Sequence, residues 1–216
     1  MTDPLDRIRV TYDTVAERYL AELGDELDHK PLDRALLASI VELAGGGPIA
    51  DVGCGPGHVT AHLAAAGARV VGVDLSPAMI AVARRRHPAL TFTVGSMTAL
   101  DVPDGAWAAA VVLYAIIHLD AADRARAYGE LARVIRPGGH ALVAFHVASA
   151  DHAPGDAHHL DEWWGHAVDL DAYFLDPEQV HAGLVAAGFT PVARLEREPI
   201  AGAEYPSRRA YLLVRR

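Results

Sequence analysis

Cysteine is almost absent from this sequence of 216 residues, in which Cys54 stands alone. A single thiol cannot form an intramolecular disulfide, and it cannot build a structural zinc site from several thiolates. Cys54 lies inside a glycine-rich segment, where a small side chain facing a bound ligand is a better interpretation than a nucleophile. Disulfide-stapled folds and thiolate zinc modules are therefore excluded.

Long apolar runs are also missing. No basic-then-apolar leader opens the sequence, and the longest wholly apolar run covers only residues 106–117. A helix that crosses a bilayer needs about 20 apolar residues, so this run is too short to span one. We therefore expect a soluble, cytoplasmic protein that has no membrane partner.

Positive charge is in deficit. The 19 lysines and arginines against 28 aspartates and glutamates give a formal net charge of −9. The one run of three basic residues, Arg84 to Arg86, lies near the end of a predicted helix, where cations stabilise the helix dipole. This distribution argues against nucleic acid as a partner. The chain is 51% apolar and 22% charged, which is ordinary for a globular domain with a sizeable core.

A glycine-rich turn between two predicted elements is the most informative stretch. A short apolar run that starts at Ile49 ends in Gly53, Gly55 and Gly57, and a helical pattern begins at once with His58. Glycine tolerates positive φ and has no Cβ to block a ligand, and the following helix start offers unpaired N–H groups. A tight strand-to-helix turn without a ligand is the alternative for this spacing alone.

An acidic residue follows the next predicted strand. Residues 68–73 form a buried strand pattern that ends at Asp74, which lies 74 − 57 = 17 residues beyond Gly57. A carboxylate at this position can accept hydrogen bonds from both hydroxyls of a ribose. The glycine turn and Asp74 together indicate a nucleoside cofactor.

Three segments carry a family resemblance. With Asp51 two residues before the first glycine, the turn resembles motif I of the class I S-adenosylmethionine-dependent methyltransferases, and its Gly-x-Gly-x-Gly ending departs from the dinucleotide pattern Gly-x-Gly-x-x-Gly. Asp74-Leu75-Ser76 is similar to the second motif of that family. Residues 136–139, Arg-Pro-Gly-Gly, are similar to its post-catalytic turn.

The resemblance implies an α/β fold with a Rossmann-like, doubly wound, seven-stranded sheet that is mostly parallel, has an antiparallel C-terminal strand and carries helices on both faces. Periodicity and turn signals predict the remaining elements independently. Strands are predicted at 68–73, 90–94, 107–116, 141–146, 190–198 and 210–214, and helices at 5–23, 34–43, 58–66, 76–87, 121–135 and 176–187.

We expect residues 1–216 to form a single domain with two additions. Residues 1–44 are predicted to be an N-terminal helical cap, and residues 147–175 a lid inserted at the carboxyl edge of the sheet. The lid segment carries Trp163, Trp164 and four histidines. The pair His158-His159 would point to opposite sides of a strand, and no chelating spacing appears in this segment, so we predict no metal site.

The resemblance also implies roles in cofactor binding. Gly53, Gly55 and Gly57 would cradle the methionine end and the ribose of the cofactor. Asp51 would orient the turn, and Asp74 would hold the ribose hydroxyls. Leu75, Met79 and Met97 would sandwich the adenine. In chain order these predicted residues are Asp51, Gly53, Cys54, Gly55, Gly57, Asp74, Leu75, Ser76, Met79, Gly95, Ser96, Met97 and Tyr114. Ser96 is a departure, because the family commonly has an acid there that holds the adenine amino group.

Two tyrosines and a lysine in the cap have alternative interpretations. Tyr12 and Tyr19 match a family pattern in which tyrosines cover the cofactor, and they can equally pack the first helix against the sheet. Lys30 would pair with the carboxylate of the cofactor's methionine end, or it is an ordinary surface lysine.

His118 and His146 follow the predicted fourth and fifth strands, where ligands of open α/β sheets bind. Either imidazole can serve as a general base or as a hydrogen-bonded wall residue, and His118 is also predicted to contact the cofactor. The sequence thus predicts S-adenosylmethionine-dependent methyl transfer to an oxygen or nitrogen of a small-molecule acceptor, with S-adenosylhomocysteine as product, by a monomer or homodimer. A nicotinamide-dependent oxidoreductase and a non-catalytic nucleoside-binding module are the alternatives.

Overall fold

A computed structural model describes residues 3–216. The helices are α1 (Pro4–Leu23), α2 (Pro31–Ala44), α3 (His58–Ala65), α4 (Pro77–Arg86), α5 (Ala121–Val134) and α6 (Pro177–Ala186). The strands are β1 (Ile49–Val52), β2 (Val70–Asp74), β3 (Thr91–Val94), β4 (Trp107–Leu113), β5 (Ile135–Ser149), β6 (Ala157–Trp163), β7 (His166–Tyr173), β8 (Thr190–Arg197) and β9 (Ser207–Arg215). Short 3₁₀ turns cover Glu26–His29 and Ile116–His118. The first two residues of the predicted cap lie outside the described residues.

Seven strands form one sheet in the order β3-β2-β1-β4-β5-β9-β8. The pairs from β3 through β5 are parallel, whereas β9 runs antiparallel to both of its neighbours. The chain order reverses between β1 and β4, which opens a crevice at the carboxyl ends of these strands. The predicted doubly wound sheet with an antiparallel C-terminal strand is confirmed.

Central strand β4 shows how both faces of the sheet are covered. Ala110 and Val112 belong to a core cluster with α5 and α6 residues, whereas Ala109 and Val111 belong to a second cluster with α2 and α3 residues. Successive side chains of a strand point to opposite faces, so a strand buried on both is continuously apolar. This explains the uninterrupted apolar run 106–117.

Strand bounds differ from the sequence prediction at several places, and strands β3, β4 and β5 illustrate this. Strand β4 ends at Leu113 because Tyr114 has a φ of 57° and a 3₁₀ turn follows. Strand β5 begins at Ile135, directly after α5, and includes the Pro-Gly-Gly segment predicted as a turn. Strand β3 begins one residue later than predicted, at Thr91.

The insertion after β5 contains a regular hairpin where the sequence pattern is irregular. Strands β6 and β7 pair antiparallel as a separate two-stranded sheet. At the tip, Trp164 and Gly165 have φ values of 54° and 83°, as the two central residues of a type I′ turn require. Helix α1 packs against β7 and α4, so the hairpin and α1 lie together.

No helix within residues 3–216 combines the length and the hydropathy that a membrane crossing requires.

Candidate active site

A cavity that is partly open to solvent, with about 700 Å³ of space when that opening is included, lies at the carboxyl ends of β1, β2 and β4, beneath α1. The wall includes twelve residues that were predicted to bind cofactor or to act as catalyst: Tyr12, Tyr19, Gly53, Gly55, Asp74, Leu75, Ser76, Gly95, Ser96, Met97, Tyr114 and His118. Thus most of the predicted site residues, separated by up to about a hundred positions in sequence, share one cavity.

The glycine turn needs its glycines for different reasons. Gly53, Gly55 and Gly57 have φ values of 80°, 52° and 84°. A Cβ on Gly53 would lie 2.4 Å from the Ala115 Cβ, and one on Gly57 would lie 2.8 Å from the Phe92 ring. A Cβ on Gly55 would meet only the Tyr19 ring, at 3.9 Å. Gly55 therefore keeps space open on the cavity side, whereas Gly53 and Gly57 permit close packing within the protein.

Asp74 is fixed by the backbone at both carboxylate oxygens. Its Oδ2 accepts a hydrogen bond from the Gly55 N–H at 2.8 Å, and its Oδ1 accepts one from the Ser76 N–H at 2.8 Å. Burial raises the pKa of this carboxyl group, against the opposing effect of the two N–H donors. A carboxylate has about four lone-pair sites, so each oxygen keeps one for a ligand.

Asp51 and Cys54 lie behind the turn and do not line the cavity. Asp51 is 2% exposed and accepts a hydrogen bond from the Thr60 hydroxyl at 2.6 Å, and burial raises its pKa to about 6. This contact ties β1 to α3. Burial also raises the pKa of the Cys54 thiol, which opposes the thiolate that a nucleophile requires.

Helix α4 begins at Ser76 as predicted. The Ser76 hydroxyl caps the helix by accepting from the Met79 N–H at 3.0 Å, and it donates to Asp13 on α1 at 2.6 Å. Met79 itself is buried against Ala16 and does not line the cavity. Met79 was predicted to contact adenine, but its side chain is not among those that line the cavity.

Sequence reasoning missed several residues that close the site. Asp13 is one of them, because its separation of 63 residues from Ser76 hides their contact. Leu5, Ile8 and Arg9 line the cavity from α1. Leu5 and Ile8 fall on the same helix face as Tyr12, so their spacing of three and four residues carried a usable signal.

Four aromatic side chains cover the outer side of the cavity; we call Tyr12, Tyr19, Trp163 and Trp164 the aromatic cover. The two tryptophans stack at the hairpin tip with ring centroids 4.6 Å apart. Trp163 contacts Tyr12 and Tyr19 edge-on at 5.8 and 6.0 Å. Only the tyrosines line the cavity, so the tryptophans lie behind them.

His118 is held on both ring nitrogens. Its Nδ1 lies 3.0 Å from the backbone oxygen of Asp171 on β7, and its Nε2 lies 2.6 Å from the Tyr12 hydroxyl. Burial lowers the pKa of His118 to about 4. The imidazole is therefore neutral near pH 7 and lies in the cavity wall between the sheet, α1 and the hairpin.

His146 is placed differently from His118. Its Nδ1 hydrogen-bonds with the Ser207 hydroxyl at 2.6 Å, its ring stacks on Tyr114 at 5.1 Å, and it does not line the cavity. Burial lowers its pKa to about 3, and the nearby Arg209 acts in the same direction. His146 thus supports Tyr114 from behind.

Lys30 is buried rather than on the surface. It is 3% exposed, and its Nζ lies 2.5 Å from Glu26 and 3.6 Å from Glu204. It also lies 5.4 Å from the centre of the Tyr114 ring and does not line the cavity. Its charge is therefore already paired within the protein.

A second cavity also reaches His118 and is bounded by Arg7, Asp120, Asp169 and Asp171. Arg7 pairs with Asp169 at 2.6 Å and with Asp171 at 3.2 Å, which ties α1 to the hairpin. Across residues 3–216, no group of three or more potential ligands is arranged to hold a metal ion.

The sheet order, the glycine turn and Asp74 at the second strand end are the features expected from the resemblance to class I S-adenosylmethionine-dependent methyltransferases. Comparison with protein families agrees with this class. Residues 49–139 match the family described as "Methyltransferase domain". The predicted resemblance is confirmed.

A curated relative gives a similar result. The chain is 32% identical over 145 residues to demethylmenaquinone methyltransferase of Beutenbergia cavernae, in an alignment that covers 66% of this chain and 58% of the relative. The chain thus spans little more than half the length of this relative.

Solved structures support the fold. A SAM-dependent methyltransferase from Methanosarcina mazei superposes with a TM-score of 0.71 at 17% identity, covering 79% of this chain and 92% of that one. The 1,6-didemethyltoxoflavin-N1-methyltransferase of Burkholderia thailandensis, crystallised with bound 1,6-didemethyltoxoflavin and S-adenosylhomocysteine, superposes with a TM-score of 0.64 at 22% identity, covering 93% of this chain and 90% of that one.

Proposed function

We propose that this protein transfers the methyl group of S-adenosylmethionine to an oxygen or nitrogen of a small-molecule acceptor. The observation that carries the proposal is the single cavity, which joins a glycine cradle, a backbone-fixed aspartate and a neutral histidine.

The cavity residues fit the cofactor. An added Cβ at Gly55 would project into space that a bound methionine or ribose group would use, and Asp74 keeps one lone pair on each oxygen for the ribose hydroxyls. Leu75 and Met97 offer apolar walls for adenine, while Ser96 offers a hydroxyl where the family commonly has an acid. We assign the cofactor contacts to these residues.

The cofactor supplies an electrophilic methyl group on a positively charged sulfur. The protein then has to align the acceptor with that methyl group and exclude water, which can lower the barrier by about 7–11 kcal/mol. An acceptor that loses a proton also needs a base, which contributes roughly 10²- to 10⁴-fold. We assign the base function to the neutral His118 in the cavity wall and a supporting role to His146.

We infer that α1 and the hairpin form the lid over the acceptor. The aromatic cover and the pairing of Arg7 with Asp169 and Asp171 hold these two elements together. This proposal keeps the predicted single domain of residues 1–216, in which α1 belongs to the cap, residues 1–44, and the hairpin belongs to the inserted lid, residues 147–175. The acceptor enters when α1 and the hairpin separate.

The names of relatives bear on the acceptor. Demethylmenaquinone and 1,6-didemethyltoxoflavin are small molecules, and the latter enzyme's name specifies a nitrogen. We propose a small molecule of comparable kind for this chain, with no nucleic-acid partner. We further propose a cytoplasmic protein that is a monomer or homodimer.

Ligand-dependent thermal unfolding tests the proposal. S-adenosylhomocysteine at about 100 times its dissociation constant should stabilise the fold by roughly 2.7 kcal/mol, whereas NAD should have no effect. Stabilisation by NAD alone would establish the nicotinamide alternative. Stabilisation by S-adenosylhomocysteine without turnover across a panel of phenols and amines would favour the non-catalytic nucleoside-binding module.

A further inference from the structure

The direction of the hydrogen bond between Tyr12 and His118 follows from what lies on the other side of the imidazole. The backbone oxygen of Asp171, 3.0 Å from Nδ1, can only accept a hydrogen bond. Nδ1 therefore carries the proton of the neutral ring, and Nε2 carries the lone pair. The Tyr12 hydroxyl, 2.6 Å from Nε2, must then donate its proton to His118.

This orientation leaves the Tyr12 oxygen as an acceptor. Its single proton points to His118, so its lone pairs are directed elsewhere, and Tyr12 lines the cavity. The Nε2 atom of His118 is occupied by the same hydrogen bond. A hydroxyl or amine bound in the cavity therefore meets an acceptor oxygen on Tyr12, while the basic nitrogen of His118 is reached only through that oxygen.

We propose that Tyr12 is the catalytic residue that takes the proton of the methyl acceptor, and that His118 acts through Tyr12. The inference rests on the methyl-transfer function proposed above and changes the role expected for Tyr12 from covering the cofactor to proton transfer. It also moves His118 from direct base to the terminal proton acceptor of a two-residue relay.

The proton and electron balance of the step is complete. The attacking oxygen or nitrogen forms a bond to the methyl carbon, and the carbon–sulfur bond breaks with its electron pair remaining on sulfur. The proton on the attacking atom passes to the Tyr12 oxygen, and the original Tyr12 hydroxyl proton passes to Nε2 of His118. The Nδ1 proton stays on Nδ1, hydrogen-bonded to the Asp171 backbone oxygen, and the resulting imidazolium releases its extra proton to solvent after the lid opens.

The relay specifies the class of acceptor. The attacking atom must carry a hydrogen that can be donated to the Tyr12 oxygen, as in a phenol, an alcohol or a primary or secondary amine. A tertiary amine or a thioether has no such hydrogen, so neither is a substrate for this relay.

Nitrogen NMR of protein labelled with ¹⁵N-histidine tests the geometry without any acceptor. In the complex with S-adenosylhomocysteine, His118 should carry its proton on Nδ1 and show an unprotonated, hydrogen-bonded Nε2. Tyr12→Phe keeps the ring but removes the donor, so the Nε2 resonance should move to the position of a free imine nitrogen while Nδ1 stays unchanged. A proton on Nε2 in the parent protein, or an Nε2 resonance that Tyr12→Phe does not move, would overturn the relay.

Kinetics test the chemistry with simple phenols and aromatic primary amines as probe acceptors. Tyr12→Phe and His118→Gln should each lower kcat by about a hundredfold or more, with little change in the acceptor KM, and the double variant should be no slower than either single one. Tyr128→Phe is the control, because it deletes a buried, unpartnered hydroxyl on α5 outside the cavity. Full kcat in Tyr12→Phe would show that His118 acts directly and would sink the relay.

Calorimetry with S-adenosylhomocysteine separates this inference from the function on which it rests. If the parent protein does not bind this ligand, the methyltransferase proposal itself fails. If the parent and Tyr12→Phe both bind it and kcat is equal, only the relay fails. If none of the probe acceptors is methylated, the NMR result alone decides whether the hydrogen bond has the required direction.

Discussion

The Asp13 carboxylate on α1 accepts a hydrogen bond from the Ser76 hydroxyl at 2.6 Å and another from the Ala78 N–H at 3.0 Å. Both donors belong to the N-terminus of α4, which directly follows the strand that ends in Asp74. Asp13 thus acts on α4 as a capping group supplied by another helix. The same carboxylate pairs with Arg9 through its second oxygen at 3.1 Å. The helix that covers the cavity is therefore attached to the strand end that carries Asp74.

Replacing Asp13 tests this attachment. Asp13→Ala should lower the free energy of unfolding by about 1–3 kcal/mol, because two donors lose a charged acceptor. It should also weaken S-adenosylhomocysteine binding, because α1 covers the cavity. Asp13→Asn keeps one acceptor oxygen, so it should lose less stability and less affinity for S-adenosylhomocysteine than Asp13→Ala. Urea denaturation and calorimetry measure the two effects, and equal losses in the two variants would contradict the assigned contact.

Asp74→Ala should weaken S-adenosylhomocysteine binding by roughly 10- to 100-fold, since each hydrogen bond to a charged group contributes about 1.5–3 kcal/mol. Calorimetry measures the affinity, and circular dichroism shows whether the variant is folded. Some loss of stability is expected too, because the Gly55 and Ser76 N–H groups lose their acceptor. Parent-like affinity in a folded variant would exclude Asp74 as the ribose contact.

Alanine substitutions at two glycines with similar backbone conformation distinguish the effect of backbone strain on stability from the effect of a side chain on ligand binding. Gly55 and Gly45 have φ values of 52° and 58°, and an added Cβ would be free of close contacts at both positions. Alanine should cost about 1–2 kcal/mol of stability at either site because of the left-handed conformation. Gly55→Ala should additionally abolish measurable S-adenosylhomocysteine binding, whereas Gly45→Ala should bind normally. Equal affinity in the two variants would mean that the cofactor does not occupy the space beside Gly55.

The buried histidines make stability depend on pH. Burial lowers the pKa of His118 to about 4 and that of His146 to about 3. An unfolded histidine titrates near about 6.5, so below that pH the unfolded state binds more protons than the folded state. Each histidine should therefore cost about 2 kcal/mol of stability between pH 7 and pH 5. His146→Gln should shrink the measured decline in the free energy of unfolding by that amount, and an unchanged decline would contradict its buried, neutral state.

Protonation of Asp51 should change the free energy of unfolding in the opposite direction between pH 7 and pH 5. Burial raises its pKa to about 6, so the folded state binds a proton that an unfolded aspartate, with a pKa near about 3.9, does not bind at pH 5. This contribution stabilises the fold by about 1 kcal/mol as the pH falls from 7 to 5. Asp51→Asn removes it, so urea denaturation at the two pH values should show a steeper decline than in the parent. An unchanged decline would show that Asp51 is ionised in the folded protein at pH 5.

The order of strands and helices could be predicted because it depends on local signals. Ser76 and Pro77 mark the start of α4 by chemistry that needs no distant contact, and the φ of 58° at Gly45 ends α2 as a glycine cluster predicts. The continuous apolar run of β4 follows from burial on both faces of the sheet. The exact end of β4 could not be predicted, because Tyr114 takes a positive φ that an aromatic residue rarely adopts.

The hairpin in the insertion was missed for a related reason. The turn at its tip favours Asn-Gly or Gly-Gly, whereas this chain has Trp164-Gly165, and the strands carry mixed polar and aromatic residues. Packing of the tryptophans on Tyr19 and Tyr12 holds the tip in place. A local pattern does not contain those contacts.

The sequence by itself determined the sheet, the glycine turn and the acid at the second strand end, because these depend on backbone conformation and on the connectivity of neighbouring elements. The tertiary structure decided which side chains meet in the cavity. It placed Tyr12 against His118 across 106 residues, paired Lys30 with Glu26 and Glu204, and set His146 behind Tyr114. Whether a polar group is free for a ligand or already paired depends on the packing of distant segments, and no local spacing of residues encodes that.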